Sequence, residues 1–246
     1  MRYILFTSDK YVNLVAEQGR LWNKFTTRRF EVEVLGFAPP TVAYPDNYHF
    51  VSLGDQSDYP NKNWADPIRP IIEGIEENYF VLHWDDLFPI GSLNEELFDE
   101  AVDLVSSRAA QKCTFFFGAR NQYLSSLRYN NNFVELKQDI DYRVGLSPSI
   151  WSKDYFLKYL NPGDTSWDYE IRGSQSARND GATLLLPRKQ PISPYINMYD
   201  KGVFHYKHLN QMKSSKTGRN YGWNKFQKLE DEEYKMFLKH EKIKLY

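Results

Sequence analysis

The chain has 246 residues, 41% hydrophobic and 26% charged, with 31 Lys+Arg against 32 Asp+Glu. That composition suits a folded α/β domain with a full core and excludes a disordered polyelectrolyte. The lone Cys113 excludes an intramolecular disulfide and a cysteine-rich zinc site, and no apolar run approaches the ~20 residues of a membrane span.

MRYILFTSDK opens with four consecutive apolar residues and has no small-residue cleavage site, so it reads as a first strand and not as a signal peptide. With a single cysteine, a reducing, cytoplasmic location is the expectation. Tyr3 to Phe6 predicts a strand buried on both faces, followed by the polar loop Thr7-Ser8-Asp9. Leu14, Val15, Leu21, Trp22 and Phe25 fall on one face of a helix. Phe30, Val32 and Val34 alternate with charged residues in a strand closed by Gly36, and Tyr48 to Leu53 predicts another. After a polar loop from Gly54 to Asn63, Asp66 is expected to cap a helix with Pro67 at its first position and an apolar stripe of Ile68, Ile71, Ile72 and Ile75. Tyr79 to Leu82 predicts a short strand that stops at His83-Trp84-Asp85-Asp86. A capping box from Ser92 to Glu95 opens a helix with Leu97, Ala101, Leu104 and Val105 inward. Cys113 to Phe117 is a strand ended by Gly118. Strand and helix therefore alternate up to residue 118, the mark of a parallel α/β sheet.

The second half is less regular. Asn121 to Asn132 reads as a loop, Arg143 to Leu146 as a strand, and Ser152 as the cap of a helix ending at Leu160. Asn161-Pro162-Gly163 turns the chain. Thr165 and Asp168 form a second capping box, opening a helix that contains Trp167, Tyr169 and Glu170. Ala182 to Leu186 and Tyr195 to Tyr206 read as strands. Charge is unevenly placed: residues 201–246 hold 11 Lys+Arg and 5 Asp+Glu, and no acid occurs between Lys201 and Lys228. With Phe204, Tyr206, Tyr221, Trp223 and Phe226 interleaved, this segment reads either as a solvated tail or as a flank for a diphosphate or a nucleic-acid backbone.

Three clusters could carry chemistry. Asp85-Asp86 follows a buried strand, where open α/β sheets place ligands, and adjacent carboxylates need compensation. Mg²⁺ or Mn²⁺ would supply it and bridge to phosphates. His83 shares the side of Asp85 if the strand continues, as a supporting group or a softer ligand; a solvated loop is the bland alternative. Asp168 and Glu170 point about 200° apart on a helix, so only one of them can face a given site. Asp168 also suits a helix N-terminus without any catalytic role. His205 and Lys207 share one face of a predicted strand, where imidazole and ammonium suit a diphosphate or its metal. No GxxxxGK[ST], GxGxxG, HExxH or GxSxG occurs.

NYFVLHWDDLFPIGSLNEELFDEAVDLV and the later RVGLSPSIWSKDYFLKYLNPGDTSWDYE resemble segments of small phage, viral and bacterial glycosyltransferases of the GT-A type. The similarity spans residues 60–175, and the motif here is Asp85-Asp86 and not a strict DxD. The resemblance implies a GT-A-like, Rossmann-type mixed sheet flanked by helices, with an irregular acceptor subdomain. Residues 1–118 would bind a nucleotide sugar, foremost a UDP-sugar, and 119–246 would bind the acceptor and close over the donor. Asp86 or Asp85 would hold Mn²⁺ or Mg²⁺ with His205 nearby. Thr7, Ser8 and Asp9 would contact the nucleotide, and Lys207 would close on the diphosphate. Asp168 or Glu170 would be the general base. A glycan or a hydroxymethylated base of phage DNA would be the acceptor. Two other classes compete. One is a nucleotidyltransferase, although TSDKYVN lacks a Gly-rich, Arg-containing loop. The other is a non-catalytic carbohydrate- or nucleic-acid-binding module.

Overall fold

β1 (Arg2–Phe6) leads through α1 (Val15–Phe25) to β2 (Val32–Gly36) and β3 (Tyr48–Ser52). α2 (Ala65–Glu73), β4 (Tyr79–Trp84), β5 (Leu87–Pro89), α3 (Glu95–Ser106) and β6 (Lys112–Thr114) follow. The computed structural model describes residues 1–116, 124–197, 199–200 and 203–204. Its second half holds β7 (Leu127–Arg128), β8 (Phe133–Glu135), β9 (Ser149–Ser152) and α4 (Lys153–Lys158). A continuous helical run, α5, joins the turn Ser166–Asp168, a π-helical turn Tyr169–Gly173 and the turn Ser174–Ser176. β10 (Leu184–Pro187), β11 (Tyr195–Asn197), β12 (Tyr199–Asp200) and β13 (Val203–Phe204) complete the described chain.

One nine-stranded sheet, in the order β3-β2-β1-β4-β9-β6-β10-β8-β7, runs through both halves. β3, β2, β1 and β4 are mutually parallel, whereas β9 runs against both β4 and β6. β10 is parallel to β6, and β8 runs against β10 and β7. Because successive side chains on a strand point to opposite faces, the central strands feed two cores. Ile4, Phe6, Phe80 and Leu82 pack with Ile68 and Ile72 of α2 and with Phe156 and Tyr169. Tyr3, Leu5 and Val81 pack on the other side with Trp22 of α1 and with Phe98 and Ala101 of α3. The apolar run of β1 thus follows from burial on both faces. Gly36 closes β2 because a Cβ there would stand 2.8 Å from Thr7 Cγ2 and 3.0 Å from the Phe50 ring.

Several local expectations shift. α2 starts at Ala65, so Asp66 is its second residue and Pro67 its third; the Asn63 side chain accepts the Asp66 amide at 3.2 Å. α3 is capped by Asn94, whose side chain accepts the Leu97 amide at 3.0 Å, and not by Ser92. The β6 strand is Lys112–Thr114, starting one residue before Cys113 and stopping before Phe115; Phe117 lies outside the described residues. Ser152 precedes α4 without a side-chain capping bond, and the helix ends at Lys158. The Thr165–Asp168 capping box forms as expected, with both reciprocal bonds present. The Tyr195–Tyr206 stretch contains β11, which pairs with β5, and the antiparallel pair β12–β13; residues 198, 201–202 and 205–206 lie outside the described ones. Among the described residues, no helix is long and apolar enough to cross a membrane.

Arg143–Leu146 is a turn and not a strand. Tyr142 takes a left-handed φ of 55°, and the Gly145 amide donates to the Tyr142 carbonyl at 2.9 Å. The cause is Arg143, whose side chain is wholly buried. Its guanidinium donates to the carbonyls of Leu136, Lys137 and Ala182, to Gln138 Oε1 and to Asp180 Oδ1. A backbone folded around one guanidinium cannot also extend as a ladder strand. Arg143→Ala leaves the Asp180 carboxylate without its buried countercharge, with only the Tyr159 hydroxyl and the Ala182 amide on it, and takes a donor from the Leu136 and Lys137 carbonyls, so urea unfolding should show a loss of about 3–5 kcal/mol. A loss under 1 kcal/mol would show that Arg143 is not what folds this turn.

Candidate functional site

β4 pairs with β1 up to Phe6 opposite Trp84, and the Asp85 amide donates to the Phe6 carbonyl at 3.1 Å. The chain then leaves the sheet, and Asp85 and Asp86 form the turn into β5. The Ser8 amide donates to Asp85 Oδ2 at 3.0 Å. One buried carboxylate thereby joins the loop after β1 to the acidic turn after β4. Asp85 is 5% exposed. Burial and the adjacent Asp86 charge push its carboxyl well above the ordinary range, opposed by Thr7 and the Ser8 amide.

The segment after β2 closes on the same loop. Asp9 Oδ1 accepts the Ala38 amide at 2.8 Å, Asn13 Oδ1 accepts the Thr41 amide at 2.8 Å, and the Tyr44 hydroxyl donates to the Val12 carbonyl at 2.8 Å. Tyr44 is pushed up first by its burial and second by the Asp85 charge. Thr7, Ser8, Asp9 and Asp85 therefore share one rim at the carboxyl end of the parallel strands.

His83 does not join them. β4 ends before Asp85, and His83 lies on the Val81 face, against Tyr3, Trp22, Phe115 and Tyr195. Its Nε2 lies 2.5 Å from the Tyr195 hydroxyl, and burial lowers its pKa to about 3. It is a neutral core histidine, and no ligand role is open to it.

Asp168 and Glu170 lie one aromatic layer away. Trp64 contacts Trp84, the residue before Asp85, at a centroid distance of 5.6 Å, and Tyr169, between Asp168 and Glu170, at 5.7 Å. The Asp164 carbonyl accepts the amides of Trp64 and Ala65, which locks the start of α5 to the start of α2 on this rim. Asp168 Oδ2 accepts the Thr165 amide at 3.1 Å and its hydroxyl at 2.7 Å, and Oδ1 pairs with Arg172 at 3.2 Å. The bonds from Thr165, with Arg172 behind them, hold its carboxyl below the usual range. Glu170 behaves differently. Its Oε1 accepts the Leu146 amide at 2.7 Å, while Lys112 Nζ donates to the Gly145 carbonyl. Those two groups belong to a single peptide unit, which Lys112 and Glu170 hold from both ends. Burial raises the Glu170 carboxyl, with the Leu146 amide and Lys112 opposing. Burial lowers Lys112 to about 7.

Two adjacent carboxylates offer hard oxygen donors, which fit Mg²⁺ or Mn²⁺, ions that take one or two carboxylates and complete their shell with phosphate oxygens and water. Among the described residues, no group of three or more His, Cys, Asp or Glu is placed to hold a metal. His205 and Lys207, with most of the basic C-terminal segment, lie outside the described residues.

The whole-chain fold has counterparts among solved structures. Residues 1–349 of TarS from S. aureus superpose with a TM-score of 0.50 at 13% identity, over 97% of this chain and 69% of that one. A cytidylyltransferase from Leptospira borgpetersenii superposes with a TM-score of 0.51 at 11% identity, over 98% of this chain and 93% of that one. The fold is GT-A-like and Rossmann-type. TarS is also described in complex with UDP and with UDP-GlcNAc. No protein-family model matches the chain, and no curated protein matches it by sequence.

Asp85 sets a pH dependence. Its folded carboxyl sits above its unfolded value, so folding favours the protonated form. That advantage is full below the unfolded value of about 4 and is lost as pH rises through the folded one. With a chelator present, Asp85→Asn should therefore be the more stable chain at pH 8, by about 1–3 kcal/mol. The gap should close toward pH 4 in denaturant titrations. Parallel pH profiles for the two chains would contradict this.

Proposed function

We propose that this chain is a glycosyltransferase that moves a hexosyl or pentosyl group from a nucleoside-diphosphate sugar, foremost a UDP-sugar, to a hydroxyl acceptor. The observation that carries the reading is the Asp85 carboxylate, buried beside Asp86 and bonded to the Ser8 amide. It places an acidic pair against a polar loop at the rim where open α/β sheets bind nucleotides. Thr7, Ser8 and Asp9 would contact the nucleotide. Asp85 and Asp86 would hold Mn²⁺ or Mg²⁺, which would offset the charge growing on the leaving diphosphate. His205 and Lys207 would add positive charge there.

The acceptor oxygen would form a bond to the anomeric carbon as the bond from that carbon to the diphosphate oxygen breaks. The hydroxyl proton would pass to a carboxylate. Asp168 suits this role better than Glu170, because its side chain is 39% exposed and one oxygen needs only to exchange its Arg172 partner. Glu170 is engaged in holding the Gly145–Leu146 peptide. Asp168→Asn should keep the capping bond, which Asn also makes, and lower transfer by about 10²–10⁴-fold. Glu170→Gln should retain most turnover. The reverse pattern would move the base to Glu170.

Asp86→Ala should abolish metal-dependent release of nucleoside diphosphate from a nucleotide-sugar panel while leaving the fold intact. Unchanged turnover would end the metal assignment. The acceptor would be a glycan hydroxyl, with a hydroxymethylated base of phage DNA as the second class; a steep salt slope in DNA binding would favour the latter. A second reaction also merits assay, because a cytidylyltransferase shares this fold over nearly both chains. Release of pyrophosphate from CTP or UTP with a sugar phosphate would replace sugar transfer by nucleotidyl transfer.

A further inference from the structure

α1 carries an anomaly on its inward face. Val15, Leu21, Trp22 and Phe25 are buried there as the helical spacing requires, and so is Gln18, at 1% exposure. Its Nε2 donates to the Trp84 carbonyl at 2.5 Å and to the Leu87 carbonyl at 2.6 Å. These two residues stand immediately before and immediately after Asp85-Asp86. A primary amide has two hydrogens in a fixed plane, so a single side chain closes both ends of the turn. Its Oε1 is buried and has no hydrogen-bond partner among the described residues. A core position selected for packing alone would not retain a half-satisfied amide.

We infer that Gln18 is a positioning residue for the cation site, clamping the backbone on both flanks of the acidic pair so that Asp85 and Asp86 are presented in one arrangement. This rests on the metal-binding reading of that pair. Gln18 touches neither the cation nor the nucleotide; it acts through the turn. The Ser8 amide restrains the Asp85 side chain, and Gln18 restrains the main chain that bears both carboxylates. Without it, the Trp84 and Leu87 carbonyls lose this donor and the turn is free to relax.

The test is Mn²⁺ binding, measured with and without UDP by the EPR signal of free Mn²⁺ and by thermal shift, on the full chain. Gln18→Met keeps the length of the side chain and removes both donors. Ile72→Val, in α2 on the opposite face of the sheet, is the control for general loss of stability. Gln18→Met should weaken Mn²⁺ binding about 10- to 100-fold, the range for groups that orient a metal's ligands without touching the metal. Ile72→Val should bind as the native chain does, even where its Tm falls as far. If Gln18→Met does not fold, Gln18→Leu, which also removes both donors and adds no charge, is read in the same way. Native affinity in the Gln18 variant overturns the inference and leaves the proposed function standing. Equal weakening in Ile72→Val also overturns it. Absence of Mn²⁺ binding by the native chain removes the metal reading itself, and this inference with it.

Discussion

A carboxylate buried at the tip of a central strand is the constraint around which this structure is arranged. Asp85 is costly to bury, and its neighbour Asp86 makes it costlier. The fold spends several groups on keeping it there. β1 supplies the Phe6 carbonyl, the loop after it the Ser8 amide, and α1 the Gln18 amide across the turn. Gly36 leaves room for Thr7. None of these contacts improves the core, and all of them fix where two negative charges sit. An arrangement that stores unfavourable charge in a defined place is suited to a cationic ligand, whose arrival relieves it.

The second constraint is the link between the two halves. β9 is inserted between β4 and β6, and β10 pairs with β6, so strands of the second half complete the sheet that carries the acidic turn. Trp64 bridges the two segments through Trp84 and Tyr169, and Lys112 and Glu170 hold one peptide unit between β6 and α5. The π-helical turn at Tyr169–Gly173 shifts the register of α5, so Glu170 reaches the Leu146 amide while Asp168 remains at the capped start. Of two acids separated by one residue, one is structural and one is open to solvent.

Much of the first half was legible in the sequence. The run of β1, the stripe of α1 and the alternation around Val32 and Val34 each have one dominant period, and burial follows it. The Asp85-Asp86 turn was legible because the apolar run before it stops abruptly. The rest depended on contacts distant in sequence. β9 is four residues long and owes its conformation to β4 and β6. Ser92 and Asn94 are both competent caps, and the choice falls to Asn94 because the Leu93 and Asn94 amides are bound to Phe25 and Ile192. Val144 and Leu146 alternate as a strand would, but their burial comes from a turn built on Arg143. His83 was misread because the strand ends one residue before Asp85. Gln18 left a trace, a polar residue within an apolar stripe, yet only the fold brings it to residues 84 and 87.

A paramagnetic ion locates its own site most directly. In ¹⁵N-labelled protein with UDP present, substoichiometric Mn²⁺ should broaden the amide resonances of Ser8, Asp85 and Asp86 first. Those of Gln111 and Ser152, beside the amino ends of β6 and β4 and so at the far end of the strands, should stay sharp. Broadening centred anywhere but the rim shared by β1 and β4, or none at all, would contradict a cation seated on the acidic turn.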